Sequence, residues 1–157
     1  MANTNNPHSF LWEKTDQSGA VKLKRGKTVS NTTLKVGDPL SIVGGLIKLA
    51  GATSTALYGF AAEAVTGVVG TRNSVAFIPA ADGYIFSGQH LSTLNLTAGY
   101  LGKRAGVIVN TNGKCGINAA ATTSVLQILG LKPGSAWGTY AQLMVAVVRS
   151  SYAGSIR

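Results

Sequence analysis

Lys22, Lys24, Arg25 and Lys27 place four positive charges within six residues, with Lys14 and Lys35 nearby, and this is the densest chemical signal in the 157-residue chain. Clustered ammonium and guanidinium groups attract nucleic-acid phosphates or the carboxylates of a protein partner. Lysines on a sheet edge also discourage edge-to-edge pairing without binding anything. All three readings stand on the residues alone. Gly26-Lys27-Thr28 has the ending of a phosphate-binding loop, but Val21 stands where that loop requires its first glycine, so the match fails.

Nothing else in the chain assembles into catalytic machinery. His8 and His90 are the only histidines and are widely separated, Cys115 is the only cysteine, and neither a Gly-x-Ser-x-Gly elbow nor a His-Glu-x-x-His helix occurs. Of the five acids, Asp38 and Asp82 lie in glycine-adjacent turns and Glu13 and Asp16 lie near the amino terminus. Glu63 is left as the candidate buried carboxylate, and one carboxylate is not an acid/base pair. It reads more simply as half of a surface or interface ion pair. Cys115 cannot form an internal disulfide and reads as a small apolar residue. The expectation is a non-enzyme with no catalytic residue, no cofactor and no metal.

The elements that would carry the basic cluster follow from composition. The net charge of +9 comes from 14 Lys and Arg against five Asp and Glu, with 12% of residues charged where about 25% is usual. The excess therefore reflects missing acids. At 45% hydrophobic residues the chain is not disordered. Twenty glycines, four prolines and glutamate only at Glu13 and Glu63 argue against a helix bundle. Abundant small, hydroxylated and β-branched residues suit short strands. The length fits one domain. The first ten residues lack the basic and apolar regions of a secretory signal, and the apolar run Leu143 to Val148 is far below the ~18 residues of a membrane span, so synthesis and folding in the cytoplasm are expected. On that expectation the sequons Asn31-Thr32-Thr33 and Asn95-Leu96-Thr97 are accidental.

Residues 1–20 read as an extended, polar amino-terminal arm interrupted by Phe10-Leu11-Trp12, and residues 21–157 as a single β-rich domain. Val21 and Leu23 alternate with Lys22 and Lys24 in strand fashion, Arg25-Gly26 reads as a turn or bulge, and Thr28-Val29 resumes the strand. Gly37-Asp38-Pro39 is turn chemistry, and the Gly44-Gly45 pair joins two strands in a tight hairpin. Residues 52–70 are ambiguous. Leu57, Phe60, Ala61, Ala64, Val65 and Val68 recur at helical spacing, whereas Gly59 and Gly67 favour two short strands. Beyond Arg72 the strands are clear: Ser74 to Pro79, a strand from Tyr84, a hairpin over Gly106 to Ile117, and the pair Val125 to Leu131 and Gln142 to Arg149 around a Lys132-Pro133-Gly134 turn. Eight or more short strands indicate a barrel or sandwich.

Four segments recur in a familiar order. They are Lys35-Val36-Gly37-Asp38-Pro39-Leu40, Leu57-Tyr58-Gly59-Phe60-Ala61-Ala62-Glu63-Ala64, Val75 to Pro79 followed by Asp82-Gly83-Tyr84-Ile85-Phe86-Ser87-Gly88, and Leu126 to Leu131 running into Leu143 to Val148. In this order the chain resembles the decoration, or cement, proteins of tailed-bacteriophage heads. The resemblance implies a mainly β fold, a small β-barrel or β-tulip-like single domain of short antiparallel strands. It also implies residence on the outer capsid surface of the virion, assembly as a homo-oligomer with a trimer favoured, and a role bridging neighbouring major capsid protein subunits, with no catalytic residues. The amino-terminal arm and basic strand lie outside the resembling segments. Their proposed role is physical: Phe10 and Trp12 as apolar anchors, and Lys22, Lys24, Arg25 and Lys27 as complements to capsid carboxylates. The alternatives are a basic barrel that binds single-stranded nucleic acid and a carbohydrate-binding barrel. Scattered aromatics offer no stacking platform for the former.

Overall fold

The structure is a computed structural model and describes residue 3 and residues 9–15, 20–110, 113–121 and 124–148. Eleven strands run through these residues: β1 (Leu11–Thr15), β2 (Lys24–Lys27), β3 (Pro39–Val43), β4 (Leu46–Leu49), β5 (Gly59–Ala61), β6 (Ser74–Pro79), β7 (Tyr84–Gln89), β8 (Arg104–Val109), β9 (Cys115–Asn118), β10 (Leu126–Leu131) and β11 (Gln142–Val147). Only a single 3₁₀ turn, Ala98–Tyr100, interrupts them. The mainly β fold read from the sequence is therefore the observed one. The tight turns fall at glycines that take positive φ, as in the β3–β4 hairpin where Gly44 and Gly45 adopt +55° and +78°.

The strands form two antiparallel sheets, one of six strands in the order β1-β7-β11-β10-β8-β9 and one of five in the order β2-β6-β5-β3-β4. The expected barrel is not closed. Each sheet curls instead until a single parallel bridge clips it: Thr28 to Ile47 in the five-stranded sheet, and His90, just past β7, to Ile117 in the six-stranded one. At these clips Val29 N donates to Ile47 O at 2.8 Å and Leu91 N donates to Ile117 O at 3.0 Å. Inside the smaller sheet Leu34, Leu40, Ile47, Ala61, Val75 and Phe77 pack together, and a larger apolar cluster fills the other. Strand β5 ties the two, because Phe60 leaves its own sheet to stack 4.2 Å from Phe86 on β7.

Residues 9–15 are not a free arm. Phe10 is 2% exposed, its ring lies 4.8 Å from Phe60, and its backbone N donates to Gly37 O at 3.0 Å. Two glycines make that seat: a Cβ on Gly37, whose φ is +86°, would lie 2.2 Å from the Phe10 carbonyl oxygen, and a Cβ on Gly88 would press at 3.0 Å on the Phe10 ring. The next residues add β1 to the edge of β7, pairing Leu11 with Ser87 and Trp12 with Phe86. Even Asn3 is held, donating from Nδ2 to Ala136 O and Thr139 O at 2.9 and 3.0 Å. Burying one large aromatic ring outweighs the polar composition around it; residues 1, 2, 4–8 and 16–19 of the arm lie outside the described ones.

Residues 52–70 contain no helix, only β5, a bridge at Leu57 and a bridge between Val65 and Leu34. Both glycines explain why. A Cβ on Gly59 would lie 2.3 Å from Ile78 O and one on Gly67 2.5 Å from the carbonyl carbon of Asn31, so both positions serve close backbone packing against other segments. Arg25 and Gly26 are likewise not a turn but the centre of β2, opposite Ala76 and Val75. Gly26 leaves room there for Ile47 Cδ1, which lies 2.6 Å from where a Cβ would sit.

Candidate partner-binding surface

Strand β2 is the edge of the five-stranded sheet. Gly26 turns inward onto Ile47, so its neighbours Arg25 and Lys27 point to the opposite, outer face. Lys22, Lys24, Arg25 and Lys27 are all exposed. By the same alternation Lys24 shares the face of Gly26, and Lys22 precedes the strand, so the four cations follow one sheet edge without sharing one face. They are not equivalent. Arg25 is engaged by Glu63, with Nη1 to Oε1 at 3.0 Å and Nη2 to Oε2 at 3.1 Å, while Glu63 Oε1 also accepts the backbone N–H of Ala76 at 2.8 Å. Glu63 is accordingly half of a surface ion pair, and Arg25 is already partnered within the chain. Lys22, Lys24 and Lys27 form no ion pair within the described residues.

The two proposed aromatic anchors separate. Phe10 lies in the core and has no surface to offer. Trp12 is 39% exposed at the outer edge of the six-stranded sheet, beside Leu11 at 42%, and is the most exposed aromatic among the described residues. Next to it on β1, Glu13 turns inward to accept hydrogen bonds from Ser87 Oγ and from Lys132 Nζ, the latter at 2.6 Å. Partial burial works against its charge, but these two bonds and the lysine's charge prevail and hold the carboxyl below its ordinary range.

Acid usage explains the electrostatics. Of the four acids among the described residues, Glu13 and Glu63 are committed to Lys132 and Arg25, Asp38 is buried, accepting from Lys35 N at 2.8 Å and Ser9 Oγ at 3.3 Å, and Asp82 is exposed. The cations Lys14, Lys35, Lys48, Arg72, Lys103, Arg104 and Lys114 are all exposed. The surface field is therefore positive, with β2 its densest line.

Two further titratable groups, His90 and Cys115, lie in the core. His90 is fully buried, its Nδ1 3.2 Å from Ile117 O and its Nε2 3.1 Å from Ser92 Oγ, and burial pushes its pKa below the ordinary value of 6.5. Cys115 is buried, and burial together with the nearby Asp38 carboxylate pushes its thiol pKa far up, so it is an inert core group rather than a nucleophile. Among the described residues no group of three His, Cys, Asp or Glu side chains could hold a metal ion. No helix among them is long and apolar enough to cross a membrane.

One exposed apolar feature escaped the sequence reading: Val68 and Val69, in a loop of residues 66–73 next to the end of β2. The signal was a valine pair set between Gly67 and Gly70, which the helical spacing of residues 52–70 obscured. No protein-family model, curated protein or solved structure matches the chain.

Proposed function

We propose that the chain is a structural virion protein that binds the outer surface of a bacteriophage capsid and cements neighbouring major capsid subunits, acting as a homo-oligomer with a trimer favoured. The observation that carries this reading is the run of exposed lysines Lys22, Lys24 and Lys27 along the edge of the five-stranded sheet, none of which forms an ion pair within the described residues. Such a line complements acidic ground on a partner. The order of segments shared with decoration proteins supports the choice of partner. The action is adhesive: weak contacts repeated by the symmetry of a shell add up to high occupancy. Trp12 supplies an apolar contact at the rim of the six-stranded sheet. Arg25 is held by Glu63 and contributes less than its three lysine neighbours.

The test is quantitative mass spectrometry of purified particles, giving the copy number of this chain relative to the most abundant shell subunit. A ratio near one, or near a simple fraction such as about one third, is the expected result for symmetric decoration. Absence from particles, with steeply salt-dependent recovery on oligonucleotides, would replace this reading with the nucleic-acid one.

A further inference from the structure

Three small polar residues just after β2 hold up one loop. Ser30 Oγ accepts from Gly70 N at 2.8 Å, Thr33 Oγ1 accepts from Gly67 N at 2.9 Å, and the backbone N of Asn31 donates to Val68 O at 3.2 Å. From inside the loop Thr71 N also donates to Val68 O at 3.1 Å, and Asn73 Nδ2 donates to Thr66 O at 3.0 Å. Gly67 lies so close to Asn31 that no side chain fits between them. An exposed loop with this many fixed groups is preorganised, and what it presents is apolar. Val69 is 80% exposed, the highest value of any large hydrophobic residue described, and Val68 is 54% exposed.

Cations flank this tip. Arg72 follows it in the same loop. Lys27 is brought alongside by the pairing of Lys27 with Ser74 and by the 2.8 Å bond from Thr28 N to Asn73 O. Both side chains are exposed and neither forms an ion pair within the described residues.

We infer that the loop of residues 66–73 is a second docking element, which seats Val68 and Val69 in an apolar socket rimmed by carboxylates on a protein partner. A rigid β-branched pair loses little conformational freedom on binding, and the flanking cations fix the sign of the socket's rim. A bilayer is the poorer fit, since the loop holds none of the Trp, Tyr or Phe residues that favour membrane interfaces. The inference rests on the capsid reading above for the identity of the partner. It replaces the buried Phe10 with an apolar contact that solvent reaches, and it gives the basic line of β2 an apolar end.

Purified capsid shells lacking this protein are titrated with the full chain and with Val69→Asp, Val69→Thr and Arg72→Glu. Val69→Asp should weaken binding by at least about tenfold, as loss of an interface anchor does. Val69→Thr, which keeps the branched shape, should weaken it several-fold. Both should melt at the temperature of the unaltered chain. Arg72→Glu should weaken binding at low salt and approach the unaltered chain as salt rises. If the unaltered chain binds and Val69→Asp and Val69→Thr bind equally well, the loop is not a docking element and the capsid reading survives. If the unaltered chain does not bind shells, both fall. Preferential, Val69-dependent binding to vesicles of phosphatidylserine and phosphatidylcholine would overturn the protein partner in favour of a membrane.

Discussion

Arg25 and Glu63 lie side by side on the outer face of the five-stranded sheet, joined by two nearly equal bonds of 3.0 and 3.1 Å, with the same carboxylate capping the N–H of Ala76. The pair is open to water, the two side chains being 62% and 36% exposed, so it contributes little stability. It also withdraws one charge from the basic line. Glu63→Gln should lower stability by no more than about 1 kcal/mol, read from the denaturant midpoint. The same variant frees Arg25 and should strengthen shell binding at low salt. Weaker binding would mean that the pair itself, rather than the positive line, is what the partner meets.

Charge reversal at Lys24 and Lys27 together should shift the salt concentration at which shell binding is lost to a lower value, because screening removes what complementarity remains. Occupancy measured by sedimentation across a salt series checks this. Identical salt curves for both forms would remove β2 from the interface.

Phe10→Ala should cost about 3–5 kcal/mol, the range for truncating a buried aromatic, since it empties the space between Phe60, Gly37 and Gly88. Trp12→Ala should leave the fold within about 1 kcal/mol and weaken shell binding by at least about tenfold. Two chemical denaturation curves and one binding isotherm separate a core residue from a contact residue two positions away. Shell binding that survives Trp12→Ala would confine the interface to β2 and its neighbours.

Glycine substitutions should rank by what the added methyl meets. Gly59→Ala drives its Cβ against the carbonyl oxygen of Ile78, at 2.3 Å, where only backbone can yield. Gly26→Ala meets the end of the Ile47 side chain, which can rotate, and should cost about 1–3 kcal/mol as overpacking does. Gly59→Ala should cost more, and thermal melts of the two variants give the order. The reverse order would mean that the Ile47 seat is the stiffer one.

Two groups make stability fall in acid, with onsets at different pH. His90 is neutral when folded and its pKa is held below 6.5 by burial, so the unfolded chain takes up the proton first and stability declines as pH drops below about 6.5. Glu13 has its pKa lowered from 4.5. Its contribution is complete above that value and is lost as pH falls further through the folded pKa. His90→Gln should flatten the first decline and Glu13→Gln the second, in denaturation midpoints measured from pH 7 to pH 3. A His90→Gln profile with an unchanged slope between pH 6.5 and 5 would place the titrating group elsewhere.

Local signals were readable where one strand and its turn decide the outcome. Ser74 to Pro79 forms the strand that its residues and closing proline imply, and Gly44-Gly45 forms the expected hairpin. What could not be read depends on residues far apart in the chain. Nothing around Phe10 announces that Phe60 and Phe86 will receive it, or that Gly37 and Gly88 will make room. The apolar spacing from Leu57 to Val68 is helical only if Gly59 and Gly67 are discounted, and those two glycines are fixed by Ile78 and Asn31. The basic cluster was legible as charge, yet the capture of Arg25 by Glu63 is a meeting across 38 residues that spacing does not encode.

The two sheets differ in how much of the chain each must wait for. The five-stranded sheet draws only on residues 24–79, so its strands and its clip from Thr28 to Ile47 are available as soon as Pro79 has left the ribosome. The six-stranded sheet is joined through β11, which pairs with both β7 and β10, and Gln89 meets its partner Gln142 only after more than fifty further residues have been made. Until then the β7 edge that receives β1 has no support from β11. The first strand in the chain therefore gains its full support only when one of the last is made, whereas Phe10 can meet Gly37 and Phe60 earlier.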